Sequence, residues 1–393
     1  MKNESISWLL LLLININVMI GAGIFIYPSV IASYAGSLGF LSFAVVFFVM
    51  LPLVLSIAQL AAVLPTGEGG LYTYSAQVLG KKIGIINALI YFVAKAISCS
   101  IMIRAVVMYL SSIIPVLAII PSWLLSLMII FLLVIFNLFG MRVGARMQAG
   151  FTAFKIVPIV IVILGGLWLF KSSNLTILPA SLNSFTSSLP LALYTMMGFE
   201  TCCALGHTIG NARQMARIII ASFLAVTTIY MLFQFSLFGS LGEELAHTTA
   251  PLSLFFSTLF NSQIISLIGV VAVIGSALGA AYGILYANNW YLFVIGRDLV
   301  YRPLIKTNKY GIPVVSALIH GALISFLLIL PVSIAVLGKL AVMGVMICYL
   351  TMVISLLILY RAKSKEIILP YSIIVLSIVS CIIMTYLCVK DLL

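Results

Sequence analysis

The chain has 393 residues, of which 64% are hydrophobic and 7% charged, and its mean hydropathy is +1.30. A soluble domain of this length could not carry that composition without precipitating, so the sequence is that of a polytopic membrane protein. The formal net charge of +12 invites a nucleic-acid reading, but the positions of the charges, given below, make the basic balance topological instead.

Apolar runs of roughly 20 residues, each enough to cross about 30 Å of hydrocarbon, recur from end to end. They predict spans near 7–34, 38–63, 84–113, 121–140, 149–170, 186–209, 215–240, 263–295, 312–331, 333–360 and 367–389. The expectation is an all-α transmembrane domain over 1–393 with about eleven helices. With the N-terminus cytoplasmic, Lys2, Lys81, Lys82, Arg142, Arg146, Arg213, Arg217, Arg297, Arg302, Lys306, Lys309, Arg361, Lys363 and Lys365 fall inside, against Lys171 and Lys390 outside. That asymmetry follows the positive-inside rule and implies a multi-pass protein of the cytoplasmic (inner) membrane.

In the first span, the stretch NVMIGAGIFIYPSV (17–30) places Gly21 and Gly23 around Ala22, where an unbroken helix would prefer neither glycine. The run could imitate a secretory signal, with IASYAG as its cleavage site, but it is too long and carries the glycine pair. In the third span, Lys95 sits near mid-membrane and shares a helix face with Cys99 and Met102 at i, i+4 and i+7. Arg104 lies about 20 residues into the same helix, roughly 30 Å of rise, and its guanidinium is expected to snorkel to the outer surface.

Lys155, in FTAFKIVP, lies within the inner third of the fifth span, and Glu200, in MMGFETCCALG, is the sole deep carboxylate. Intramembrane ionisable groups are functional candidates by default, although Glu200 could merely neutralise Lys95 or Lys155. Lys339 is expected to snorkel from the outer end of the tenth span. Cys99, Cys202, Cys203, Cys348, Cys381 and Cys388 lie within spans with no CxxC and no histidine at metal spacing, so they read as packing residues. His207 reads as solvated at a helix end, His247 as an exterior loop residue and His320 as ninth-helix packing.

Two interrupted spans in corresponding places, MIGAGIF in the first and MMGFET in the sixth, point to a transporter built from two inverted repeats. The first repeat would cover 1–170, the second 186–360, with an extra C-terminal helix at 367–389. An unwound turn offers N–H groups to a carboxylate and carbonyls to an ammonium, the two groups a zwitterionic amino acid presents.

Six stretches in order resemble the amino acid-polyamine-organocation transporters, including the arginine/agmatine antiporters. They are GAGIF, GEGGLYTYSAQVLGKKIG, YFVAKAISCSIMIRAVVMYLSSIIP, NLFGMRVGARMQAGFTAFKIVP, MMGFE and GRDLVYRPLIKTNKYGIPVVSAL. The resemblance covers roughly the first ten helices and implies a 5+5 inverted-repeat core of the leucine-transporter type, with helices 1 and 6 discontinuous. The eleven expected spans are one fewer than the family's usual twelve.

The resemblance further implies that Gly21, Ala22 and Gly23 offer backbone N–H groups to the substrate carboxylate. Carbonyls around Met19, Tyr194 and Met197, beside Gly198, would receive the amino group. Tyr194 matches the aromatic that caps the substrate, with Phe199 as a second closing residue. Glu200 matches a gate acid implicated in proton-linked steps, and Lys155 the lysine that stands in for a sodium ion in sodium-independent members. Protonation of Lys155 would then bias the inward or outward form.

Two departures from the antiporter pattern bear on substrate. Ala22 replaces a serine and removes a hydroxyl donor, and Lys95 replaces an uncharged residue. A fixed cation there would repel arginine, agmatine or lysine by several kcal/mol in a site screened from water. The expectation is sodium-independent amino acid transport, proton-coupled or by exchange, with an acidic substrate if Lys95 is free and a neutral one if Glu200 pairs with it. The alternatives are a basic amino acid or amine antiporter and a non-transporting amino acid sensor. An enzyme is disfavoured, since the sequence has no H-E-x-x-H, no G-x-S-x-G and no deep carboxylate pair. The expected partners are an amino acid, protons and the lipid bilayer, with a homodimer as the assembly to test; no cofactor, metal or nucleic acid is expected.

Overall fold

Leu-, Ile-, Val- and Phe-rich runs in hydrocarbon have no water to satisfy their backbone, so they must close their hydrogen bonds internally as helices. A computed structural model of the protein describes residues 8–21, 23–64, 70–139, 141–203, 212–260, 263–364 and 366–390. Its helices are α1 (Trp8–Ile20), α2 (Gly23–Ala35), α3 (Gly39–Val63), α4 (Leu71–Leu79), α5 (Lys81–Ile113), α6 (Ser122–Asn137), α7 (Met141–Trp168) and α8 (Leu182–Met196). There follow α9 (Ala212–Leu241), α10 (Glu244–His247), α11 (Pro251–Phe260), α12 (Gln263–Asp298), α13 (Arg302–Ile305), α14 (Val314–Ile329), α15 (Ile334–Arg361) and α16 (Tyr371–Lys390). Among the described residues the extended pairing is a single bridge between Thr307 and Pro313. The protein is an all-α membrane protein, with six described segments long and apolar enough to span and four shorter apolar helices.

The first apolar stretch is two helices. Ile20 ends α1, Gly21 takes φ +49°, and α2 begins at Gly23. A positive φ is a backbone state that a Cβ penalises, and glycine reaches it freely. In the sixth stretch α8 ends at Met196, Met197 is extended, Gly198 takes φ +112°, and a short turn closes through Thr201 N–H to Gly198 O at 3.0 Å. Both interruptions fall at the quoted glycines.

The broken elements pack together at the centre: α2 lies on α8 and α1 on α9. Around them α5 packs against α12, α15 and α14, while α3 packs on α9 and α7 on α12. The last helix, α16, lies against α15 and α3.

Four elements were not foreseen as helices: α4, α10, α11 and α13. Hydropathy windows of span length pass over them, since α11 with 10 residues rises only about 15 Å. Of the two snorkelling expectations, the one for Lys339 is corrected, while Arg104, partly exposed, has its guanidinium at a helix end. The Arg104 guanidinium donates to the carbonyls of Leu327 (2.8 Å), Leu330 (2.7 Å) and Val332, closing the C-terminal end of α14. Those orphan carbonyls are a nearer acceptor than water. Lys339 is 6% exposed, buried within the bundle. The six cysteines are all buried and none forms a disulfide, as packing residues should be. His320 is buried, and His247 sits on exposed α10 beside Glu243; His207 lies outside the described residues.

Candidate substrate site

A narrow cavity of about 50 Å³ lies where the two interruptions face each other. Met19, Gly21 and Gly23 line it from the first interrupted stretch, and Tyr91, Lys95, Ser98 and Met102 from α5. Tyr194, Thr195, Met197, Gly198 and Thr201 line it from the second, with Gly283, Ile284, Ala287, Asn288 and Tyr291 from α12. The backbones approach closely: a Cβ on Gly198 would stand 3.5 Å from the Met19 Cα, and one on Gly23 only 2.7 Å from Thr195 Cγ2.

Glu200 is 2% exposed and has donors on both oxygens. Oε1 accepts from Tyr91 at 2.8 Å and faces Lys95 Nζ at 3.2 Å. Oε2 accepts from Tyr349 at 2.5 Å and from the Gly198 N–H at 3.0 Å. A buried carboxylate is tolerable only when paired and hydrogen-bonded, and this one has both kinds of partner. The Lys95 ammonium also lies over the Tyr91 ring, 5.0 Å from its centroid. The unwound turn after α8 is thereby tied to α5 and α15.

Several of the peptide groups at the breaks have side-chain partners. Tyr230 on α9 donates to Ile20 O at 2.9 Å and Met19 O at 3.3 Å. Lys155, fully buried on α7, donates to Asn17 O at 2.7 Å, one turn before Gly21. Asn15 bridges the two breaks: its Oδ1 accepts from Cys202 N–H at 3.2 Å, and its Nδ2 donates to Phe199 O at 3.1 Å and Ser222 Oγ at 2.7 Å.

The family pattern described as amino acid permease matches residues 6–390. The chain belongs to the amino acid permease family. This is the amino acid-polyamine-organocation superfamily that the six motifs resembled, a family of transporters rather than enzymes. The permease is 27% identical over 295 residues to the serine/threonine exchanger SteT of Bacillus subtilis, a match covering 70% of this chain. It is 24% identical over 307 residues (72% of this chain) to an uncharacterized transporter of Legionella pneumophila. An uncharacterized transporter of Mycobacterium tuberculosis is 23% identical over 390 residues, covering 90% of this chain and 80% of the relative. The chain matches 65% of the length of the Bacillus exchanger and 64% of the Legionella transporter.

Within this permease, Met19, Gly21, Gly23, Lys95, Met102, Tyr194, Met197 and Gly198 meet at the cavity. Glu200 stands one layer behind, reached through Lys95 and Tyr91. Ala22 lies outside the described residues. Cys99 is not among the lining residues: its Sγ faces Ala281 O at 3.6 Å, because one step of the helix turns Ser98 to the cavity instead. Phe199 is buried away from the cavity, its ring 5.2 Å from Tyr349 and 5.6 Å from Phe223. Lys155 holds the end of α1 from behind.

Sequence reasoning missed Asn15, Tyr91, Tyr230, Asn288 and Tyr349. All are polar side chains in apolar spans, and that expense was the available signal. Among the described residues no group of three His, Cys, Asp or Glu side chains is placed to hold a metal ion.

Proposed function

We propose that this chain exchanges small neutral amino acids across the cytoplasmic membrane by alternating access, without sodium. The observation that carries the reading is the Lys95–Glu200 pair at the cavity between the two breaks. A cation already neutralised by a carboxylate offers no free charge to an acidic side chain. Nor does it leave Glu200 free to hold a basic one. The narrow cavity suits a short side chain. The Bacillus relative, named a serine/threonine exchanger, supports both a neutral substrate and exchange.

In this reading the N–H groups around Gly21, Ala22 and Gly23 take the substrate carboxylate. The carbonyls of Met19, Tyr194 and Met197 take its ammonium, and the Tyr194 ring closes over it. Lys155 holds the α1 end in place of a sodium ion, and its proton, with that of Glu200, couples to the transition. Phe199 supports Glu200 rather than capping the substrate.

The architecture that goes with this function is eleven spans: α1 with α2, then α3, α5, α6, α7, the α8 segment, α9, α12, α14, α15 and α16. Residues 1–170 and 186–360 form the two inverted repeats, the N-terminus is cytoplasmic, and the homodimer is the assembly to test. Purified protein in liposomes loaded with unlabelled serine should take up labelled serine. Threonine should compete, and arginine, agmatine and glutamate should not. Uptake of arginine as fast as serine would overturn the neutral-substrate reading, and binding without flux would favour a sensor.

A further inference from the structure

Asn288, on α12, lines the cavity and is 2% exposed. Its Nδ2 donates to Phe92 O at 3.0 Å and lies 3.1 Å from His320 Nε2, which together use both amide hydrogens. Turning the amide over would set Oδ1 against the Phe92 carbonyl, acceptor on acceptor, so the orientation is fixed by the α5 backbone. His320 Nε2 is then the acceptor of its pair, with the ring proton on Nδ1. The ring is buried on α14 and lies 4.8 Å from the Phe92 ring. Two atoms of this group remain without a partner, the His320 Nδ1 and, at the cavity-lining residue, the Asn288 Oδ1, a buried acceptor. A buried polar atom left unmatched destabilises its site until a ligand group satisfies it.

Resting on the reading of this cavity as an amino acid site, we propose that Asn288 is the group that recognises the substrate side chain. Its Oδ1 accepts a hydrogen bond from a side-chain hydroxyl. His320 is the positioning residue that, with Phe92 O, holds the amide with the acceptor outward. An acceptor at this point selects a donor: it rewards serine or threonine, is left unmet by alanine, and faces an acidic side chain acceptor to acceptor. Thr201 Oγ1 is also buried without a partner at the cavity. A hydroxyl rotates to either role, however, so the fixed polarity belongs to Asn288. A site built to bond a substrate hydroxyl rejects the analogue lacking it far more strongly than an apolar pocket rejects an extra methylene.

The test is exchange by full-length protein in liposomes, comparing serine with alanine and threonine with 2-aminobutyrate. The wild-type protein is expected to prefer each hydroxyl substrate by at least about tenfold in kcat/KM. In Asn288→Leu both ratios should fall to within about threefold of 1. His320→Phe, which keeps a ring against Phe92 but removes the acceptor, should lower both ratios in the same direction, and His320→Gln should restore part of the loss. A wild-type ratio near 1, which no folding defect can mimic, would overturn the proposal while leaving amino acid exchange standing. So would an unchanged ratio in Asn288→Leu. Wild-type protein that moves no amino acid would overturn the exchange reading and this inference with it.

Discussion

Lys95 Nζ and Glu200 Oε1 lie 3.2 Å apart across the joint between α5 and the unwound turn after α8. The two partners are unequally supported. Glu200 has Tyr91, Tyr349 and the Gly198 N–H besides the lysine, whereas Lys95 is held by Glu200 and the face of Tyr91. Removing Glu200 therefore strands two phenols and a cation whose side chain is only 12% exposed, while removing Lys95 leaves the carboxylate three donors. Glu200→Ala should destabilise the protein by about 3–5 kcal/mol, and Lys95→Met by clearly less. Thermal unfolding in detergent checks this; equal losses would mean that the pair, and not the surrounding donors, holds the turn.

Lys155→Ala removes the bond to Asn17 O at the end of α1. Exchange in liposomes should fall by at least about tenfold, the scale of one lost charge-assisted hydrogen bond. Its pH profile should flatten. Unchanged rates with an unchanged profile would remove this lysine from the mechanism.

At Gly198 the penalty for a side chain is in the backbone. An added Cβ would meet nothing nearer than Met19 Cα at 3.5 Å, but φ +112° is costly for any L-residue. Gly198→Ala should destabilise by about 1–3 kcal/mol and draw the Gly198 N–H away from Glu200. Measured stability within error of wild type would mean that the turn re-forms with another geometry.

Asn15→Leu keeps the volume while stranding Cys202 N–H and leaving Phe199 O only the weak Cys202 thiol donor. A loss of about 1–3 kcal/mol is expected, with hydrogen exchange rising over the turn at 198–203 ahead of the rest of the chain. Uniform exchange changes would show that Asn15 supports the bundle generally and not the breaks.

How far the sequence could be read follows from what each feature depends on. Spans such as α3 and α15 are set by local hydropathy, and their observed limits lie close to the predicted 38–63 and 333–360. The interruptions at Gly21 and Gly198 were legible because glycine pairs and polar residues are anomalous in an apolar run. Azimuth was less legible. Cys99 and Ser98 differ by about 100° on one helix, and only packing against α12 decides which faces the cavity. The Glu200 network needed Tyr91 and Tyr349, which lie 109 and 149 residues away along the chain. The partners of Arg104 were hidden for the same reason: its acceptors belong to another helix's end, which no local window contains.

The central claim, that Glu200 neutralises Lys95 and so makes the cavity a neutral amino acid site, is tested most directly by selectivity in Glu200→Gln. Labelled serine and labelled glutamate uptake would be measured side by side in liposomes carrying wild type or variant. Wild type should favour serine by at least about tenfold, and freeing the Lys95 charge should shift the serine-to-glutamate ratio at least about tenfold toward glutamate. A wild-type protein that takes up glutamate or arginine as readily as serine, or a ratio unmoved by Glu200→Gln, would contradict the account.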